Sequence, residues 1–322
     1  MLMIPFDTLL CNILLLVALA LPGYWLGKAK KISDNSASCM GSILTDVAMP
    51  FLVFSKLLET DLTTIGLTDA LLCALLPLGL EPLLFFISKG IFNKKDNIDS
   101  NHVSTFCSIF SNCGFLGIPL AAALFPDHPQ IVALVSLFNV FSSFMLLTLG
   151  VSILSNGKEK IKPLQIFYRP ITLAILFGIV ASLIHHHISP LSHLGQYASY
   201  LASLTTPLSM IVMGYEFSKF PFFSLFYEKK LYPTAAIKLL LTPCMTALIL
   251  GLLRSIGIDV STHTATALFI ATAVSTAATA PAIARKYDSD ARLATVQTLG
   301  TTILCIATLP LCYQLFNLLF HI

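Results

Sequence analysis

Residues 111–120 read SNCGFLGIPL inside an apolar stretch. Asn112 carries an amide that both donates and accepts hydrogen bonds. Cys113 beside it is a small apolar filler. Gly114 and Gly117 lower helix propensity, and Pro119 removes a backbone donor and clashes with the preceding turn. GFLGIP therefore marks a break within a membrane helix. A bilayer tolerates freed backbone groups only where protein buries them or a wet cavity receives them. The half-helix beyond a break presents free N–H groups and a positive dipole end, which together suit an anion. A second stretch, AVSTAATAPAIA (273–284), is small and hydroxylated and holds Ser275, Thr276, Thr279 and Pro281. Together the two stretches could bind an organic anion, with Asn112 donating to a carboxylate. The competing account of the glycine pair is close helix packing through small residues.

Charged groups within apolar spans are costly and default to functional roles. Asp46 lies four residues before Pro50, and Glu81 directly before Pro82. Glu81 is the candidate for proton coupling or cation coordination, with an ion pair to Lys238 as the equal alternative. Lys238 could snorkel to the cytoplasmic interface or contact substrate. Asp46 serves either the scaffold or the site. Asn139, Gln297, Thr298 and Thr301 stand where helices could flank the breaks, and polar contacts between helices explain them equally. Lys56 and Glu59 fall near the outer end of their span. The triplet His185–His187 points three ways on a helix and has no adjacent Cys or carboxylate, so it reads as an interfacial span end. The eight cysteines (11, 39, 73, 107, 113, 244, 305 and 312) form no CxxC pair and sit mostly in apolar runs. They indicate neither a disulfide framework nor a metal site.

The elements that must position these groups follow from composition. The 322 residues are 56% hydrophobic and 11% charged, with a mean hydropathy of +0.84. A soluble chain carries about a quarter charged residues, so an all-α polytopic membrane protein is expected. A net charge of +3 implies no nucleic acid. Ten runs are long enough to cross a bilayer at ~20 residues each. They are 6–27, 39–58, 68–92, 102–125, 130–154, 168–187, 197–217, 232–253, 263–284 and 291–316, taken below as spans 1 to 10. Asp7 and the lack of a basic residue before the first run favour a retained span over a cleaved signal peptide. With the N-terminus outside, sixteen of the nineteen basic residues fall at inner loops and span ends. Only Arg254 is in an outer loop, and Lys56 and Lys238 are within spans. By the positive-inside rule both termini then face away from the cytoplasm, in a cell (inner or plasma) membrane.

The polar linker 155–167 divides the spans five and five, as repeats 1–157 and 158–322. An odd number per half requires the second repeat to be inverted. Pro50 matches Pro207 and Glu59 matches Glu216 at an offset of 157, Pro82 matches Pro243 at 161, and Pro119 matches Pro281 at 162. Inverted repeats with midplane broken helices are a recurrent plan of secondary transporters.

SNCGFLGIPL, LTDVAMPFLVFSKL (44–57) and ARKYDSDARLATVQTLGTTILCIATLPL (284–311) resemble the auxin efflux carrier family, whose bacterial members include malate and malonate carriers. The resemblance implies ten transmembrane helices as two inverted five-helix repeats, with broken helices 4 and 9 crossing at the midplane. Spans 1, 2, 6 and 7 would form a scaffold, and spans 3–5 and 8–10 a transport domain. It also implies export or exchange of organic anions by elevator-type or rocking alternating access. Ser275, Thr276 and Thr279 stand where many relatives carry an amide in span 9. The expected partners are a small organic anion and the bilayer, with H+ or Na+ as candidate coupling ion, no other cofactor or metal, and a homodimer through the scaffold helices.

The alternative on a similar plan is a sodium-coupled symporter of the bile-acid type, which needs more carboxamides at the crossover than span 9 offers. There is no Walker A motif, so ATP drive is not expected. There is no GxSxG, HExxH or paired catalytic Asp motif, so an intramembrane enzyme is not expected either. A channel is distinguished from a carrier by saturation and counterflow.

Overall fold

The computed structural model describes residues 6–60, 65–93, 98–158, 168–185 and 190–320, and all regular structure among them is helical apart from one isolated bridge. The helices, in chain order, are α1 Phe6–Ala18, α2 Leu21–Lys28, α3 Asp34–Glu59, α4 Leu67–Ile91, α5 Ile98–Ile109, α6 Cys113–Leu124 and α7 Pro129–Leu154. They continue as α8 Pro170–His185, α9 Pro190–Ala202, α10 Thr205–Ser218, α11 Leu231–Ser255, α12 Thr262–Ala273, α13 Ala280–Lys286 and α14 Ala291–Phe320. Five of them, α3, α4, α7, α11 and α14, are long and apolar enough to cross a membrane. The other apolar runs are divided or shorter. Run 6–27 is split between α1 and α2, and α9 precedes α10 at the start of run 197–217. Of the triplet His185–His187, His185 ends α8 and the other two lie outside the described residues.

The breaks fall elsewhere than GFLGIP suggests. The first covers Phe110–Asn112, ahead of both glycines, and the chain resumes as a π-turn over Cys113–Gly117. The same device occurs three times: π-turns at Leu44–Ala48, Cys113–Gly117 and Ala236–Leu241 precede Pro50, Pro119 and Pro243. A proline cannot donate to the carbonyl four residues back, and a wider turn lets the helix continue past the missing bond. In α11 that carbonyl belongs to Leu239, and the Cys312 thiol donates to it at 3.6 Å. Pro119 thus lies within a continuing helix. Pro281 instead sits in the first turn of α13, where a missing N–H costs nothing. Pro77 and Pro82 lie inside α4 without ending it.

Helix α12 is buried all round from Thr264 to Ala273, and α5 is buried from Val103 to Ile109. A helix wrapped in protein can be small and hydroxylated on every face. These two helices lead into the two breaks and place them in the core.

Helix α2 packs on α10 and α8 on α3. The first contact is close: a Cβ on Gly23 would overlap the Ile211 carbonyl, and one on Gly214 the Ala20 carbonyl. Gly27 opposes Ser218 one turn further on. In lipid, such small-residue faces associate through van der Waals contact of their backbones.

Candidate functional site

The two breaks meet. Ser111 and Thr276 form an antiparallel bridge. The Asn112 N–H donates to the Ser275 carbonyl at 2.7 Å, and the Ala277 N–H to the Phe110 carbonyl at 2.9 Å. Side chains add further bonds. Thr276 Oγ1 donates to the Cys107 carbonyl at 2.7 Å, and the Thr276 N–H donates to Thr301 Oγ1 at 3.2 Å. Thr302 Oγ1 donates to Ser275 Oγ at 3.0 Å. Several backbone groups released by the two broken helices thus find partners within the protein. That satisfies the condition for irregular backbone inside a membrane protein.

Asn112 is 2% exposed, and its Nδ2 is buried without a hydrogen-bond partner. An unmade bond of this kind costs about 1–3 kcal/mol. Asn112 stands where two cavities adjoin. The larger, about 480 Å³, lies between α3 and α10 on one side and the breaks, α13 and α14 on the other. It runs from the helix-end residues Asp34, Glu216, Lys219 and Arg285 to Thr45, Asn112 and Thr302. The smaller, about 180 Å³, extends past Gly114 to Asp46, Asn139 and Arg169. Thr45, Asn112, Phe115, Ala278 and Thr279 line both.

The mouth of the larger cavity is charged. Lys219 Nζ is 2.7 Å from Asp34 Oδ1 and 2.8 Å from Glu216 Oε1. Burial pulls the Lys219 ammonium down, but hydrogen bonds to Asp34 and Glu216 outweigh it and hold Lys219 above the ordinary lysine value. These two carboxylates therefore share one lysine that stays charged. Arg285, on α13 across the cavity, has no ion-pair partner among the described residues. The mouth therefore balances two carboxylates with two cations, and the Lys219 hydrogen bond, helped by the Arg285 charge, holds the Asp34 carboxyl below its ordinary value.

The residues singled out from sequence divide by position. Asn112, Gly114, Asn139, Asp46, Thr279, Pro281 and Thr298 line the cavities. Ser275, Thr276 and Thr301 hold the bridge. Cys113 turns away, its thiol 3.7 Å from the Val135 carbonyl, and Gly117 packs against Cys113 and Val274. Gln297 also turns away: its amide donates to Ser104 Oγ at 2.8 Å and to the Lys230 carbonyl at 3.3 Å. Lys56 and Glu59 pair with each other at 2.7 Å on a partly exposed face.

Glu81 and Lys238 are buried, line neither cavity and form no ion pair with each other among the described residues, though Ser142, which donates to Glu81, lines the smaller cavity. Glu81 accepts from Ser142, and its Oε2 has no partner. Lys238 does not snorkel: it is 1% exposed and donates to the Thr272 carbonyl at 3.2 Å. That carbonyl belongs to the last turn of α12, where orphan C=O groups and the negative dipole end favour a cation. Position along span 8 alone placed Lys238 within reach of the interface. Only the packing of α12 across it supplies the acceptor.

Sequence reasoning missed the Asp34–Lys219–Glu216 cluster, Thr302 and the small-residue contact of α2 with α10. The last carried a signal, since Gly23 and Gly27, and Gly214 and Ser218, are each four apart. The cluster carried none, because Asp34 and Lys219 are distant in the chain and join only when α3 meets α10.

Comparison with known proteins agrees with a transport role for this architecture. A family model described as "Membrane transport protein" matches residues 8–313. An uncharacterized transporter of Methanothermobacter thermautotrophicus is 26% identical over 307 residues, covering 93% of this chain and 96% of the relative. An uncharacterized transporter of Methanocaldococcus jannaschii is 27% identical over 227 residues, covering 67% of this chain and 70% of the relative.

Proposed function

The chain belongs to the membrane transport protein family, that of the auxin efflux carriers, and on that premise we propose that it is a secondary carrier of small organic anions. The observation that carries this reading is the buried, unpartnered Asn112 amide at the junction of two cavities, beside a bridge between broken helices. A substrate carboxylate would take the hydrogen bond that Asn112 leaves unmade. The first-turn N–H groups of α6 have no carbonyl ahead of them and add a positive dipole end. Thr298, Thr302 and Thr279 supply further hydroxyls along the wall. Arg285 at the mouth and Arg169 in the smaller cavity, each beside acidic groups in the lining, offer guanidinium donors that suit a carboxylate.

The architecture is ten spans in two inverted five-helix repeats. The pairings support it. Exchanging the halves maps span 1 onto 6 and span 2 onto 7, so the contact of α2 with α10 becomes that of α8 with α3. The same exchange maps the bridge between spans 4 and 9 onto itself. Spans 1, 2, 6 and 7 form the scaffold, and spans 3–5 and 8–10 carry the site. The cavity between these groups opens at Asp34, Lys219 and Arg285, on the side that the charge distribution assigns to the cytoplasm. This is the inward-facing state of an alternating-access cycle. Glu81, whose second oxygen has no partner, is the candidate for coupling flux to a proton.

The test is counterflow of labelled C3–C4 dicarboxylates in proteoliposomes, with and without sodium. Saturable counterflow supports a carrier, and its dependence on sodium identifies the coupling ion. Flux that neither saturates nor shows counterflow would replace the carrier with a channel.

A further inference from the structure

A third cavity shares no lining residue with the two at the crossover. It is a groove of about 770 Å³ between α11 and α14, with Phe269 of α12 in its lining. Its rim includes Leu248, Leu252, Leu315 and Leu319, all more than half exposed. It is therefore a groove on the outer surface of the helix bundle. In a membrane protein that surface meets lipid.

One end of the groove is not apolar. Arg254 lines it, held by three contacts: hydrogen bonds to the Val260 carbonyl at 3.0 Å and the Phe320 carbonyl at 3.3 Å, and the Phe320 ring 4.9 Å from its guanidinium. Carbonyls orient a guanidinium without neutralising it. Arg254 has no ion-pair partner among the described residues. The side chain therefore presents a fixed, uncompensated charge with donors to spare. It lies in the last turn of α11, where a spanning helix reaches the headgroup region.

The groove also has the length of one leaflet. Lining residues on α11 run from Pro243 to Ser255, and the stretch from Pro243 to Arg254 at ~1.5 Å per residue is about 16 Å. Half of a hydrocarbon core of ~30 Å is about 15 Å. A chain lying in the groove with its polar end at Arg254 would thus span from interface to midplane. At Gly251, which is exposed in the lining, an added Cβ would meet nothing within 4 Å, so a side chain placed there would project into open space.

We infer that this groove is a phospholipid site, in which one acyl chain fills the channel between α11 and α14 and the headgroup phosphate pairs with Arg254. Guanidinium matches phosphate through paired, charge-assisted hydrogen bonds. Net negative headgroups should therefore bind best. The charge distribution places Arg254 in the non-cytoplasmic leaflet. The inference rests on α11 crossing the membrane and does not depend on the transported substrate.

The test uses the full chain in detergent, titrated with phosphatidylglycerol and followed by native mass spectrometry and by melting temperature. We expect one tightly retained phosphatidylglycerol per chain. Arg254→Gln and Gly251→Leu should each weaken retention at least tenfold, and Arg254→Lys, which keeps the charge but loses the paired hydrogen bonds, should fall between Arg254→Gln and the parent. Gly251→Leu fills open space, so its melting temperature without lipid should match the parent's and separates groove filling from misfolding. Diacylglycerol, which has the chains but no phosphate, should bind at least tenfold more weakly. Equal retention by Gly251→Leu and the parent, or equal binding of diacylglycerol and phosphatidylglycerol, would overturn the inference.

Discussion

Replacing Asn112 by alanine should weaken substrate binding without destabilising the fold. The backbone of Asn112 makes the bonds that matter structurally: its N–H reaches Ser275, and its carbonyl accepts from Leu116 at 2.9 Å and Gly117 at 3.1 Å. Alanine keeps all three, and the backbone angles (φ −78°, ψ 43°) place no demand on the side chain. The side-chain Nδ2 has no protein partner to lose. Removing it relieves a buried donor that costs about 1–3 kcal/mol when unsatisfied, so the melting temperature should equal or exceed the parent's. With substrate bound, the same group donates to a carboxylate. A hydrogen bond to a charged group is worth about 1.5–3 kcal/mol. At ~1.4 kcal/mol per decade, its loss weakens binding about 10- to 150-fold. Asn112→Asp has the same shape but faces the anion with a second negative charge, and should bind more weakly than Asn112→Ala. The assay pairs half-saturation of counterflow with a melting curve for each variant. A lower melting temperature with unchanged half-saturation would refute the reasoning, because it would make Asn112 a structural amide.

Glu81→Gln should keep counterflow but lose uptake driven by an imposed pH gradient, because Ser142 can still donate to the amide oxygen; full gradient-driven uptake would remove Glu81 from coupling. Gly214→Ala should lower stability by about 1–3 kcal/mol through overpacking, since its Cβ would overlap the Ala20 carbonyl, whereas Gly251→Ala on open space should not; equal melting temperatures would contradict the close contact of α2 with α10. Directly opposed residues of an antiparallel bridge at a non-hydrogen-bonded position have Cα atoms ~4.5 Å apart, within disulfide range. In a cysteine-free background, Ser111→Cys with Thr276→Cys should therefore cross-link on oxidation, read by mass spectrometry of the linked peptides. Absence of the link in folded protein would refute the meeting of the two breaks.

Much of the fold is legible in the chain because a bilayer imposes one rule on every residue. Apolar runs of spanning length must be helices, and the charges between them must be placed in loops. The family resemblance lay in contiguous motifs and was equally legible. The interruptions were visible as SNCGFLGIPL and AVSTAATAPAIA, but their form was not. Proline signals a lost donor, and whether a chain answers with a π-turn, as before Pro119, or with a fresh helix start, as at Pro281, depends on what surrounds it. The site divides in the same way. Asn112, Thr279 and Thr298 were found because polar residues stand out in apolar runs. Gln297 stood out equally and turned toward Ser104, because rotation about the axis of α14 decides which face meets the cavity.

The sequence by itself determined that this protein is a bundle of membrane helices, which family it belongs to, and that SNCGFLGIPL and AVSTAATAPAIA each interrupt a helix. Each of these follows from local composition against a uniform solvent. Only the tertiary structure decided that the two interruptions are joined by Ser111 and Thr276, that Lys238 caps α12 instead of reaching water, and that Asn112 is left without a partner. Those facts depend on contacts between residues far apart in the chain. Hydropathy cannot encode such contacts, because it assigns the same value to a polar group whether its hydrogen bond is made or left open.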